Sequence, residues 1–276
     1  MISGTTRVAA VIGSPVKHSL SPAMHNAAFR QLGVDWVYVA LHVAHGDAQR
    51  AIDAMRVLEL GGLSVTMPHK EAVAMAVDAL DPAASALRSV NTVVLQPDGT
   101  LVGHSTDGAG FVASLTAAGV AVHGRTVCLL GAGGAARAIS DALARAGAAR
   151  IAVLNRTFAT AQEAVNLAGG VGVIANAHDV GEADIVVNAT SIGMGSDDLP
   201  CDPRALRAGQ VVADIVYHPR ETALLRAARA AGALTVDGMG MLVHQAALQQ
   251  QLWHGQYPDV AVMAAAAERE LASRHQ

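Results

Sequence analysis

Aromatic side chains are scarce in this sequence, at 3 % of 276 residues, and charged ones are few, at 15 %. The core must therefore be aliphatic, and 52 % hydrophobic residues supply it in a chain long enough to bury a sizeable interior. The same content excludes a disordered chain. Basic charge is not in surplus: Lys+Arg number 19 against Asp+Glu 23, a formal net charge of -4, which argues against a nucleic-acid partner. Two cysteines, Cys128 and Cys201, are too few for a disulfide framework and fit a reducing cytoplasm. No run of about 18 uninterrupted apolar residues occurs, so no membrane span is expected. The opening Met-Ile-Ser-Gly-Thr-Thr-Arg has no apolar core behind a basic start, so no secretory signal is expected either. Length suggests about two domains, and the 27 glycines suit an intracellular enzyme.

Short β-type runs alternate with helical patterns along the whole chain. Strands are predicted at Arg7–Gly13, Trp36–Val43, Leu63–Thr66, Val90–Leu95 and Thr100–His104. Ser21-Pro22 reads as an N-cap followed by Pro at the first helical position, Gly33 closes that helix, and Pro68 opens another through about Val77. Gln96-Pro97-Asp98-Gly99 is a turn between two strands. A helix from about Asp107 leads to six further strands, at Thr126–Leu130, Ile151–Asn155, Val171–Ile174, Ile185–Asn188, Val211–Ile215 and Leu234–Val236. Helices over Ala135–Ala146 and Thr222–Ala231 serve as crossovers, so a doubly wound parallel sheet is expected. Two helices follow, at about Gly240–Trp253 and Asp259–Ala272. The pattern divides the chain into 1–106, completed by 240–276, and 107–239.

Chemistry concentrates where strands end. Gly131-Ala132-Gly133-Gly134-Ala135 follows a buried strand and opens a helix, the context in which glycines admit a pyrophosphate to free backbone N–H groups. The next strand ends in Asn155-Arg156-Thr157 instead of an acidic residue, which favours the extra phosphate of NADP over NAD. In the first half, Ser19 and Ser21 follow the first strand, where two hydroxyls can hold a carboxylate; Ser21 also suits a helix cap. Lys70 falls in the first turn of a helix, against the dipole, which argues for a function. Asp107 is placed as the cap of the helix joining the domains, and Asn91 is a poor strand residue and so a hydrogen-bonding candidate.

These residues carry a resemblance to the shikimate dehydrogenase family. The motifs are Gly-Ser-Pro-Val-Lys-His-Ser-Leu-Ser-Pro-Ala-Met-His-Asn (13–26), Ser-Val-Thr-Met-Pro-His-Lys (64–70), Val-Asn-Thr (90–92) and Ser-Thr-Asp-Gly (105–108). Further along stand Gly-Ala-Gly-Gly-Ala (131–135), Asn-Arg-Thr (155–157), Asn-Ala-Thr-Ser-Ile-Gly-Met (188–194), Asp-Ile-Val-Tyr-His-Pro (214–219) and Gly-Met-Gly-Met-Leu-Val-His-Gln-Ala (238–246). The resemblance implies an N-terminal α/β substrate domain beside a Rossmann-type domain, with the active site in the cleft between them. It implies reversible NADP-dependent reduction of 3-dehydroshikimate to shikimate, a step of aromatic amino-acid synthesis, in a monomer or homodimer. Lys70 and Asp107 match the family's catalytic pair. Hydride arrival at a ketone carbon leaves negative charge on oxygen, which a lysine ammonium stabilises and protonates while the carboxylate orients it. In the oxidation direction the lysine must accept the proton, so turnover is expected to rise with pH.

By the same resemblance Ser19, Ser21, Ser64, Thr66, Asn91, Tyr217 and Gln245 contact the substrate. Gly131, Ala132, Gly133, Gly134, Ala135, Asn155, Arg156, Thr157, Thr190, Ile215 and Gly238 serve the cofactor. The family usually carries Asn where this chain has Ser64 and again where it has Ser105, and a basic residue where Thr160 stands. A serine reaches less far than an amide, so quinate or an aminoshikimate, with NAD, remains an alternative. A nucleotide-binding regulator without catalysis is the rival from another class. Twelve histidines occur, but no zinc-type spacing accompanies His18, His25 and His69, so no metal is expected. His18 and His25 read as packing or capping residues, and His69 and His244 flank residues assigned to substrate.

Overall fold

The computed structural model describes residues 2–274. In chain order its elements are β1 (Arg7–Gly13), α1 (Ser21–Leu32), β2 (Trp36–His42), α2 (Ala48–Val57), β3 (Gly62–Val65), α3 (Lys70–Ala76), β4 (Ala79–Leu80), α4 (Pro82–Leu87), β5 (Thr92–Leu95) and β6 (Leu101–His104). There follow α5 (Asp107–Ala117), β7 (Thr126–Leu130), α6 (Gly134–Arg145), β8 (Arg150–Leu154), α7 (Phe158–Ala168), β9 (Gly172–Ile174) and α8 (Asp179–Glu182). The chain ends with β10 (Ile185–Asn188), β11 (Val211–Asp214), α9 (Ala223–Ala230), β12 (Leu234–Val236), α10 (Gly238–His254) and α11 (Val260–Ser273). Two compact units result, one up to Thr106 and again from Gln245, the other Asp107–His244. The second junction thus falls inside α10, a few residues later than the pattern at 239/240 suggests.

In the first unit the strand order is β2-β1-β3-β5-β6-β4. Strands β1, β2 and β3 run parallel, whereas β5 pairs antiparallel with both β3 and β6. Alternation along β1 splits the core in two. Ala10 and Ile12 join Ile52, Met55, Leu63 and Val73 on one face; Ala9 and Val11 join Phe29, Tyr38, Val94 and Trp253 on the other. A sheet buried on both faces needs helices on both, and α10 supplies part of the second cover. Its Trp253 indole packs against Gly62, where any Cβ would collide with ring atoms, and donates from Nε1 to the Val93 carbonyl at 3.1 Å.

The second unit is a six-stranded sheet of order β12-β11-β10-β7-β8-β9, parallel throughout. Val127 and Leu129 face one aliphatic cluster and Cys128 and Leu130 the other. Burial pushes the Cys128 thiol up to about 12 and that of the half-buried Cys201 up to about 11. This is the doubly wound architecture that alternating elements predict.

Three local expectations change. Ser21 is the first residue of α1 and Leu20 its N-cap, with no capping side chain, so the Ser21 hydroxyl is not committed to the helix terminus. Pro68 lies in the turn before α3, whose N-cap is His69. Asp107 is the first residue of α5, inside the helix, not its cap. The prolines and polar residues mark the correct turns, and the cap falls one or two positions away because a polar side chain at a helix start can point elsewhere. Gly33 closes α1 at φ +67°, as its position suggests.

His25 is fully buried between Tyr38, stacked at 4.2 Å between ring centroids, and Trp253 at 5.2 Å. Desolvation holds it neutral, down to about 3, against partial support from a glutamine hydrogen bond; nearby His254 is lowered by burial too. The unfolded chain takes a proton at His25 near pH 6.5, whereas the folded protein refuses it until about pH 3. Stability is therefore complete above about pH 6.5 and falls as pH drops below it, by up to about 1.4 kcal/mol per pH unit for this group. Urea unfolding of wild type and His25→Gln between pH 7 and pH 5 is expected to show the shallower slope in the variant.

Candidate active site

Within the first unit the candidate substrate side chains stand at one edge of the sheet. Parallel β1 and β3 end there, and β5, antiparallel to β3, begins there. Ser19 lies in the loop after β1; its hydroxyl accepts the Ser21 N–H at 3.2 Å. The carbonyls of His18 and Ser19 accept from the Arg274 guanidinium at 2.6 and 3.2 Å, so the end of α11 clamps this loop. Sequence reasoning did not single out Arg274. Thr66 follows β3 and is half-buried, its N–H bonded to the Ile12 carbonyl at 3.0 Å. Lys70 is the first residue of α3, half-buried, and its carbonyl accepts the Val90 N–H at 3.0 Å. His69 turns its Nε2 to the Val43 carbonyl at 2.9 Å and is 2 % exposed, a packing position.

Asn91 precedes β5 and is 3 % exposed. Its Oδ1 accepts the Thr106 N–H at 2.9 Å and the Thr92 hydroxyl at 2.8 Å, and its Nδ2 donates to the Thr106 hydroxyl at 2.9 Å. Ser64, on β3, is 5 % exposed; its hydroxyl accepts from the Tyr38 phenol at 2.7 Å and donates to Gln249 Oε1 at 2.8 Å. Burial pushes the Tyr38 phenol up, opposed only in part by the hydroxyls of Ser64 and Ser21. Gln245, half-buried on α10, lies one helical turn before Gln249. Tyr38 and Gln249 escaped sequence reasoning, because one looks like a core aromatic and the other is 185 positions from Ser64.

The second unit holds Asp107, half-buried at the start of α5, and the candidate cofactor residues. Gly131 leaves β7 at φ +104°, a conformation L side chains resist, and a Cβ there would press on Thr190 Cγ2 at 2.7 Å. Gly133 is the N-cap of α6 without a side-chain cap, and a Cβ at Gly133 or Gly134 would find no atom within 4 Å. Ala132 is buried below them and Ala135 half-buried in the first turn. An uncapped helix start facing open space through glycine is the arrangement a phosphate group fits. After parallel β8, Asn155 donates to the Thr157 carbonyl at 3.0 Å and the Thr160 hydroxyl at 2.7 Å. Arg156 is exposed and has no hydrogen-bond or ion-pair partner among the described residues.

The loops after β10 and β11 are braced by one buried carboxylate. Asp214, 2 % exposed, accepts from Asn188 Nδ2 at 3.0 Å, the Val216 N–H at 3.0 Å and the Thr222 hydroxyl at 2.7 Å. Burial pushes its carboxyl up, with those three donors opposing. Asn188 Oδ1 in turn holds Thr190, by its N–H at 3.1 Å and its hydroxyl at 2.7 Å. Ile215 and Tyr217, both half-buried, follow β11. A Cβ on Gly238 would collide with the Ile215 carbonyl, so α10 starts in backbone contact with that loop. Among the described residues no group of three or more His, Cys, Asp or Glu is placed to hold a metal, and no helix is long and apolar enough to cross a membrane.

Gly131→Ala is expected to cost about 1–3 kcal/mol of stability through its forced left-handed backbone, read as a lower urea midpoint, and to weaken nucleotide binding in a fluorescence titration.

Three family models and many known proteins match the chain. Residues 11–93 match the shikimate dehydrogenase substrate binding domain, 114–194 the shikimate / quinate 5-dehydrogenase model and 238–268 the shikimate 5'-dehydrogenase C-terminal domain. The shikimate dehydrogenase (NADP(+)) of Rubrobacter xylanophilus is 44 % identical over 271 residues, covering 95 % of each chain. Among solved structures, shikimate 5-dehydrogenase from Thermus thermophilus, in complex with NADP(H) and shikimate, is 37 % identical with a TM-score of 0.87, over 96 % of this chain and 100 % of that one. Quinate dehydrogenase from Corynebacterium glutamicum, in complex with NAD, is 33 % identical with a TM-score of 0.89, over 96 % and 99 %. Identity on this scale, spread over nearly the full length of each partner, makes the chain a member of the shikimate dehydrogenase family.

Proposed function

We propose that this protein reversibly reduces 3-dehydroshikimate to shikimate with NADPH, in aromatic amino-acid synthesis. The observation that carries the reading is the uncapped start of α6 behind left-handed Gly131, followed one parallel strand later by the unpartnered Arg156. The second unit is assigned to the cofactor. Gly131, Ala132, Gly133, Gly134 and Ala135 would hold its pyrophosphate, Asn155, Arg156 and Thr157 its adenosine phosphate, and Thr190, Ile215 and Gly238 its nicotinamide half. When bound, NADP supplies or takes up a hydride. The first unit is assigned to the ring acid, with Ser19 and Ser21 on its carboxylate and Thr66, Asn91 and Gln245 on its hydroxyls; Tyr217, of the second unit, adds a further contact.

Lys70 is assigned the proton. Its ammonium stabilises negative charge gathering on the substrate oxygen and donates a proton there; in the reverse direction the free amine accepts it. Asp107 is assigned to orient that amine and the adjoining hydroxyl. The two-cysteine composition suits a cytoplasmic site of action.

A second cofactor is favoured by one detail. Thr160 is uncharged and spends its hydroxyl on Asn155 and the Thr157 carbonyl, so cationic charge after β8 rests on Arg156 alone. Some activity with NAD follows from that single cation, while quinate as the ring acid rests on the serines at 64 and 105, where the family usually carries Asn.

The test follows the near-ultraviolet absorbance of reduced nicotinamide with shikimate or quinate and either oxidised cofactor. The reading requires the highest kcat/KM for shikimate with NADP+; no turnover of either acid would overturn it. Lys70→Ala and Asp107→Asn are each expected to lower kcat about 100-fold or more, with NADP+ binding retained in titration. Arg156→Ala is expected to raise the KM for NADP+ about tenfold or more, the scale of a lost charged hydrogen bond, and that for NAD+ much less.

A further inference from the structure

Helix α10 crosses the sheet of the first unit in register with two strands. Trp253 covers Gly62 of β3 and donates to the Val93 carbonyl of β5. One turn back, Gln249 accepts from Ser64 of β3 at 2.8 Å and donates from Nε2 to the Asn91 carbonyl at 3.3 Å, just before β5. Each step of four residues on the helix therefore matches two residues on each strand. The pitches permit this, because four helical residues rise about 6.0 Å and two strand residues about 6.6 Å. A further step carries the helix to Gln245 and β3 to Thr66, both assigned to the substrate.

We propose that Tyr38, Ser64 and Gln249 form a positioning rung, which sets where Gln245, Thr66 and Asn91 stand and so governs affinity for the ring acid without touching it. Three features support this assignment. The rung is buried, with Tyr38 1 %, Ser64 5 % and Gln249 2 % exposed. Its hydrogen bonds form a directed chain in which the phenol donates to the serine, the serine to the amide oxygen, and the amide N–H to the Asn91 carbonyl. That carbonyl already accepts the Val65 N–H at 2.8 Å, so Gln249 grips the point where β3 and the start of β5 join. Ser64, where the family usually carries Asn and where the resemblance implied a substrate contact, instead has its hydroxyl taken by Tyr38 and Gln249, and the proposal reassigns it as a link in the wall behind the ring.

The inference rests on the proposed activity, and the wild-type protein is the control for it. Tyr38→Phe and Gln249→Ala are compared with wild type for kcat, for KM toward shikimate and NADP+, and for Tm. A lost buried hydrogen bond at the rung is expected to raise the KM for shikimate about fivefold or more, with kcat and the KM for NADP+ within about twofold. A lower Tm with an unchanged KM for shikimate would mark a purely structural contact and overturn the proposal. Tyr38→Phe deletes one oxygen and leaves the ring stack in place, so it carries the test if Gln249→Ala does not fold. A wild type inactive on shikimate overturns the parent activity and this inference together; an active wild type with unchanged variants overturns the rung alone.

Discussion

Parallel pairing forces strands to finish at one edge of a sheet, and nearly everything chemical in this protein follows from that constraint. In the second unit β7, β8, β10 and β11 end together, and Gly131, Asn155, Ala189 and Ile215 are the residues reached next. The first unit obeys the same rule despite its mixed sheet. Because β5 starts and β6 ends opposite the end of β3, Asn91 and Thr106 arrive where Thr66 and Ser19 already stand. Backbone groups released at such an edge lack ladder partners, so polar side chains and ligands are the groups that can satisfy them.

Holding those edges in shape falls to a few buried polar groups. Asp214 collects three donors from three segments, and Asn91 exchanges hydrogen bonds with Thr92 and Thr106. Buried polar groups that find all their partners specify one arrangement of loops, because any alternative strands a donor in a dry interior. Apolar clusters on both sides of each sheet, aromatic-rich on the face of the first sheet that Trp253 covers, supply cohesion without such direction.

Much of this was legible in the order of residues. Strands β1, β7, β10 and β12 have the bounds that periodicity predicts, and the glycine loop sits between strand and helix as expected. Short α2 escaped notice because it buries only Ala48, Ile52 and Met55, a thin apolar stripe. Two-residue β4 has no room for an alternating pattern. Helix caps shifted because Ser21 and Asp107 are as suited to binding as to capping. Gln249 and Arg274 were hidden because each acts on a segment far along the chain, and only the fold makes them neighbours, whereas Tyr38 reads as an ordinary core aromatic.

The sulfur chemistry of the chain follows from where its cores lie. Cys128 sits inside a β-strand with its thiol pushed up to about 12, and Cys201 beside the same aliphatic cluster is held protonated as well. Thiolate is the form that alkylating reagents and peroxide attack. A maleimide dye at neutral pH will therefore react sluggishly with the native protein. A single cysteine engineered onto an exposed loop would become the preferred attachment point, with no need to remove the two that are already there.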